Sequence, residues 1–202
     1  IGFTLMAVIS LKALVILSIY VVLNILYSLK LKQIAVLDVT IIAIGFVSRL
    51  FVGSFAYEIQ LKIWIVIMTF LLALFMALAK RRDDVLIFLK SGSKMRKSID
   101  GYNLQLVDGT MMIMASIVVV TYILYTVSQE IIEQFQSEHL YLTALFVIFG
   151  LMRYLQLSLV EKRSGSPTEI VLKDKTTIVN ILLWILSFIW FIYVAPTSNP
   201  LG

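Results

Sequence analysis

Six long apolar runs leave this chain almost no choice of solvent. Ala13–Leu29, Ile63–Ala79 and Gly109–Gln129 carry no charged residue over 17, 17 and 21 positions. Val39–Tyr57 and Leu140–Val160 each hold a single arginine, Arg49 and Arg153, and a sixth run extends from Thr176 to Val194 before Pro196 and Pro200. Crossing about 30 Å of hydrocarbon as a helix takes roughly 20 such residues. Only 14% of the 202 residues are charged and 60% are hydrophobic, against about 25% charged in a soluble domain. A globule of this size has too little interior to hide that much apolar surface. A soluble enzyme, a nucleic-acid-binding module and a disordered tail are therefore excluded. The expected fold is all-α, a polytopic transmembrane helix bundle.

Residues 1–11 (IGFTLMAVISL) are apolar but too short to span, and no basic segment precedes them as in a signal peptide. They read as the end of a seventh helix, in a chain lacking an N-terminal portion. Charge placement orients the spans. Lys30 and Lys32 follow the first full span. Lys80, Arg81, Arg82, Lys90, Lys94, Arg96 and Lys97 follow the third; Lys162, Arg163, Lys173 and Lys175 follow the fifth. Thirteen of 17 basic residues thus lie on alternate connections, facing loops that carry Glu58, Glu130, Glu133 and Glu138. The positive-inside rule puts the basic side in the cytoplasm; the expected location is a plasma membrane. The absence of cysteine removes disulfides, thiolate metal sites and cysteine nucleophiles.

Three constellations carry potential chemistry. Lys80–Asp84 (KRRDD) opens a long polar connection, residues 80–107. A snorkelling flank accounts for its cations, but acids gain nothing beside anionic headgroups. A Mg²⁺-bridged polyphosphate uses both, the acids on the metal and the cations on the oxygens. Asp38 and Arg49, eleven residues apart, return to one helix face about 16 Å along the axis, with Gly45 and Gly53 on the same stripe. They read either as lining a polar cavity or as a structural ion pair with glycines for close packing. Tyr27, Lys30, Lys32, Arg96, Lys97, Tyr102, Arg153 and Tyr154 are each plausible interface anchors. Together they gather cations around one mouth suited to phosphate. His139 reads as an interfacial residue, and Asn24 and Asn180 as interhelical hydrogen-bonders.

Six segments in order, YSLKLKQIAVLD (27–38), GFVSRLFVGSFA (45–56), ALAKRRDDV (77–85), KMRKSIDGY (94–102), LMRYLQ (151–156) and SPTEIVLKD (166–174), resemble the UbiA superfamily of membrane transferases. They are most like its branch of decaprenyl-phosphate phosphoribosyltransferases. The resemblance runs from about Tyr27 to near the end of the chain. It implies nine helices around a cavity open to cytoplasm and lipid, with these six spans as helices four to nine and residues 1–11 ending helix three. The superfamily's first acidic motif is missing, which leaves one membrane domain, 1–202, inactive without its parent. In a Lys-Arg-x-x-Glu motif, Lys80 and Arg81 match and Asp84 replaces the glutamate. Asp38, Arg49 and Gly53 match an Asp, an Arg and a Gly, Ser54 replaces a second Gly, and Arg96, Lys97 and Ser98 match an Arg-Lys-Ser segment.

The implied reaction is attack by a polyprenyl phosphate on the anomeric carbon of phosphoribosyl pyrophosphate, with pyrophosphate leaving. The resemblance implies Asp84, with Asp83, on Mg²⁺. Lys80, Arg81, Arg96 and Lys97 would bind phosphate oxygens, Arg49 and Arg153 would hold a phosphate deeper in, and Lys30, Lys32, Asp38 and Tyr102 would complete the substrate site. A prenyltransferase moving a prenyl group from its diphosphate to an aromatic or other lipophilic acceptor uses the same residues. An anion transporter or scaffold in the membrane lipid is a third reading. No nucleic-acid partner is implied.

Overall fold

The computed structural model describes residues 2–92, 96–161 and 166–195. Lys94, Lys162, Arg163, Pro196 and Pro200 lie outside the described residues. Every regular element among them is helical, and six helical segments are long and apolar enough to cross a membrane: Leu11–Leu29, Leu37–Tyr57, Ile63–Ser91, Leu104–Thr126, Glu138–Val160 and Lys175–Tyr193. The expected all-α, multi-pass architecture is what the chain forms. The helices group into two compact units, Ile1–Met114 and Ala115–Gly202.

In the first unit, α1 (Gly2–Ile9) packs on α2 (Leu11–Leu29), α2 on α3 (Leu37–Tyr57), and α3 on α4 (Ile63–Ser91). Ser10 separates α1 from α2. Its backbone is extended and its hydroxyl accepts from the Ala13 N–H at 3.3 Å, an N-cap that starts a new helix. A β-carbon on Gly45 would meet the Tyr20 ring at 3.5 Å, an ordinary contact, and nothing lies within 4 Å of the equivalent point on Gly53, so close packing requires neither glycine.

The sequence reading placed Lys80–Asp84 in a polar connection, and the structure corrects this. α4 runs unbroken for 29 residues to Ser91 and stops at Gly92, whose φ of +69° makes a left-handed cap. At 1.5 Å per residue this helix is about 44 Å long, well beyond the hydrocarbon thickness. The five charged residues thus ride on a rigid helix. Arg81 and Asp84 share a face at i,i+3.

The helix α5 (Leu104–Thr126) begins in the first unit and ends in the second. The second unit continues with α6 (Gln129–Phe135), a 3₁₀ turn over Glu138–Thr143 leading into α7 (Ala144–Leu155), and a π-helical turn over Gln156–Val160. It closes with α8 (Pro167–Lys173) and α9 (Lys175–Tyr193). α7 packs on α9, where Asn180 Nδ2 donates to the Phe146 carbonyl at 2.9 Å. Gly150 sits under that amide, since a β-carbon there would lie 3.1 Å from it. Asn180 is thus interhelical, as expected, whereas Asn24 bonds back within its own helix to the Tyr20 carbonyl. The Tyr122 hydroxyl joins Trp184 Nε1 at 2.9 Å to Thr143 at 2.8 Å. His139 lies beside the Phe191 ring.

Candidate functional site: a docked loop pair with a buried arginine and a cationic cleft

Two connections of the first unit dock on each other. One is the turn after α2, containing a 3₁₀ turn at Leu31–Gln33; the other follows α4 and contains a 3₁₀ turn at Lys97–Gly101. Gly101 makes the approach feasible, because a β-carbon there would come within 2.5 Å of the Ala35 β-carbon. Next to it, the Tyr102 hydroxyl accepts from the Val36 N–H at 2.7 Å and donates to Asp38 Oδ1 at 2.7 Å. Val36 has φ of +68°, costly for a β-branched residue and held by that bond. Arg96 adds a bond to the Tyr27 hydroxyl at the end of α2, 2.8 Å.

Asp38 is fully buried and collects these interactions. Besides Tyr102 it accepts from its neighbour Val39 N–H at 2.9 Å and from Ser98 Oγ at 3.3 Å. Its Oδ2 lies 3.2 Å from Arg81 Nε. Arg81, only 1% exposed, reaches the Asp84 carboxylate with its other end. A guanidinium this deep survives only with carboxylate partners, and it has one on each side. Arg82, also buried, donates to Asp108 on α5 at 2.7 Å. Burial drives the Tyr102 phenol pKa above its ordinary value, and the bond to Asp38 adds to the rise.

On the outside of this framework Lys32, Gln33, Arg96 and Lys97 line a cleft of about 230 Å³. None of the three cations pairs with a carboxylate among the described residues. Unpaired cations converging on a small cleft suit a multiply charged anion such as a phosphate or diphosphate.

The structure distributes the sequence candidates as follows. Lys32, Arg96 and Lys97 meet in the cleft, and Asp38, Arg81, Asp84 and Tyr102 form the buried network behind it. Lys30 and Lys80 are exposed and belong to neither. Asp38 and Arg49 do not pair, so the structural ion-pair reading falls: Arg49 instead bonds the Tyr20 hydroxyl at 2.8 and 3.2 Å. Its guanidinium packs on the Tyr20 and Phe46 rings at 5.4 and 5.1 Å. No carboxylate accompanies Arg49 among the described residues. Among those residues no three carboxylate or imidazole groups converge as a metal centre, and Asp84 is engaged by Arg81. Asp83 and Asp84 are consecutive on α4, so their side chains leave the helix about 100° apart, and a Mg²⁺ ion there would need most of its ligands from a substrate's oxygens.

Arg153 belongs to the second unit. Its guanidinium forks onto Asp174 at 2.7 and 3.1 Å and also donates to Gln156 at 3.0 Å and Glu161 at 3.3 Å. Asp174 in turn caps α9, accepting from the N–H and hydroxyl of Thr177 at 2.9 and 2.8 Å. The Arg153 fork holds the Asp174 carboxyl far below the usual carboxylate range. Protein acceptors thus occupy the donors that a phosphate would need. Sequence reasoning missed Tyr20, Asp108 and Asp174. For Asp174 a signal exists, an aspartate just before the last apolar run, where an N-cap is expected.

Six helices long and apolar enough to span, with a buried ion-pair network behind a cationic cleft, define a multi-pass membrane protein. No family model matches the chain. Curated relatives do, among them three that bear the name decaprenyl-phosphate phosphoribosyltransferase. The relative from Mycolicibacterium smegmatis is 27% identical over 177 residues, covering 85% of this chain and 55% of the relative. That from Corynebacterium glutamicum is 25% identical over 181 residues, 90% of this chain and 54% of the relative. One from Mycobacterium tuberculosis is 22% identical over 167 residues, 83% and 54%. The branch resembled by the short motifs is the one these names carry. The chain spans about half the length of the curated relatives it matches.

Proposed function

We propose that the protein moves a phosphoribosyl group from phosphoribosyl pyrophosphate to a polyprenyl phosphate, at the cytoplasmic face of a plasma membrane. The observation that carries this reading is the cleft of Lys32, Arg96 and Lys97, three cations without carboxylate partners among the described residues, set against a buried framework at the membrane-span ends. The names of the relatives support it.

An oxygen of the lipid phosphate forms a bond to the anomeric carbon, the bond from that carbon to the pyrophosphate oxygen breaks, and pyrophosphate leaves with the electron pair. Cleft cations bind the leaving group and favour the charge that develops on it. Of the three, Arg96 is already held, by its bond to the Tyr27 hydroxyl, so it needs less reorganisation to act. Arg81, locked between Asp38 and Asp84, acts as a positioning residue for the cleft's supporting turn. Arg49, which lacks a carboxylate partner among the described residues, is available to the lipid phosphate, whereas Arg153 is not. Mg²⁺ would be held by Asp83 and Asp84 with diphosphate oxygens, and would supply neutralising charge there.

The test supplies the purified full-length parent protein with labelled phosphoribosyl pyrophosphate and polyprenyl phosphate, with and without Mg²⁺. A parallel arm offers prenyl diphosphate with aromatic acceptors. Phosphoribosylated lipid is expected in the first arm only. Arg96→Ala, losing a charge-assisted contact of roughly 2 kcal/mol, lowers kcat/KM by about thirtyfold. Product in the second arm alone would make the protein a prenyltransferase. Folded protein giving no pyrophosphate in either arm would leave the transporter or scaffold reading.

A further inference from the structure

Lys175 and Thr176, the first two residues of α9, stand at one end of a groove of about 680 Å³ on the second unit. The rest of the groove is apolar, walled by Phe146 and Phe149 from α7 and by Val179 and Leu183 from α9. Val179 and Leu183 are 53% and 48% exposed, so the groove opens outward along membrane-spanning helices. Asn180 is also in its lining, but its amide is spent on the Phe146 carbonyl. The polar character therefore concentrates at the α9 start.

That end is positive for two reasons. Lys175 has no carboxylate partner among the described residues. The two acids closest in sequence are engaged elsewhere, Asp174 by Arg153 and as the cap of α9, and Glu169 by Lys173 at 2.5 Å. An apolar groove between spanning helices ending in a cation on the basic side has the chemistry of a site for a lipid with an anionic head.

We propose that this groove binds an anionic bilayer phospholipid, one acyl chain along α7 and α9 and the phosphodiester at Lys175 and Thr176. Charge count selects the occupant. A single ammonium with a hydroxyl matches a phosphodiester carrying one negative charge. A phosphomonoester or diphosphate carries more charge and suits the three-cation cleft of the first unit. The inference does not rest on the proposed transferase activity.

Native mass spectrometry of the detergent-purified protein tests it, using phosphatidylglycerol against phosphatidylcholine with identical chains. The wild type should retain phosphatidylglycerol about fivefold better, the effect of one lysine near a membrane surface. Lys175→Ala should abolish that preference. Lys173→Ala, whose ammonium is already paired with Glu169, should keep it. Val179→Trp, filling the groove, should reduce retention of both lipids. Equal retention of the two lipids by the wild type, or an unchanged preference in Lys175→Ala, overturns the proposal. So does displacement of phosphatidylglycerol by polyprenyl phosphate that depends on Lys175, because the groove would then belong to the acceptor lipid. None of these readouts uses turnover, so failure here and failure of the transferase reading are separate results.

Discussion

Asp38 shows how one side chain can organise a site without touching what the site binds. It has no solvent exposure, and its two oxygens are met by Val39, Tyr102, Ser98 and Arg81. Asp38→Asn removes the charge opposite Arg81 and leaves that guanidinium with Asp84 alone. Breaking one side of a buried pair costs about 3 kcal/mol, which is expected as a lower thermal midpoint in detergent. Tyr102→Phe loses bonds to Asp38 and to the Val36 N–H and costs about 2 kcal/mol. Because both act on one carboxylate, the double variant should lose less than the sum. Strict additivity would mean that Tyr102 and Asp38 are independent. The direction with pH also follows. The Tyr102 phenol titrates above its ordinary value of 10.0 in the folded protein, so its contribution is complete below pH 10. It declines above that, as the unfolded chain ionises first. A Tyr102→Phe protein should lack this alkaline component of destabilisation in a melt series from pH 9 upward.

At the scale of elements, the six spans were legible because hydrocarbon demands long uncharged runs, and the helix ends fell near theirs except that α4 runs on to Ser91. What the runs could not show is that a helix continues once it leaves lipid. Uncharged length measures the membrane, whereas Val85, Leu86 and the other apolar residues after Asp84 keep α4 helical to Ser91. The partners were illegible for a related reason. Asp38 and Arg49 share a helix stripe but sit about 16 Å apart along it, while Asp38 finds Arg81 forty-three positions away through tertiary packing. Arg153 illustrates the same limit, since its sequence suggested a phosphate ligand and its geometry makes it a tie between α7 and the start of α9. Arg153→Lys keeps the charge but loses the planar fork, and leaves Asp174 short of a partner. A fall in thermal midpoint is expected. Asp174 titrates below its ordinary value of 3.8, so its stabilisation is complete above about pH 4 and is lost as pH falls further. Asp174→Asn should flatten that acid limb. An unchanged acid limb would show that the fork carries little stability.

For the whole molecule, orientation decides whether the cationic cleft meets water-soluble phosphates in the cytoplasm or outside. The cleft lies on connections after α2 and α4, both on the basic side of the alternation that holds 13 of the 17 lysines and arginines. The bias acts through residues close to span ends and in short loops, and here all three basic connections agree. A chain without cysteine is its own background for site-directed labelling. Gln60→Cys, exposed in the connection between α3 and α4, should react with a membrane-impermeant maleimide on intact cells. Ser91→Cys, exposed at the end of α4, should react only after permeabilisation. The reverse pattern would put Lys32, Arg96 and Lys97 outside the cell. A donor confined to the cytoplasm could not then reach them, and the phosphoribosyl proposal would fail on topology alone. Label at Gln60→Cys from outside, together with protection at Ser91→Cys, fixes the cleft on the side where the proposed donor is made.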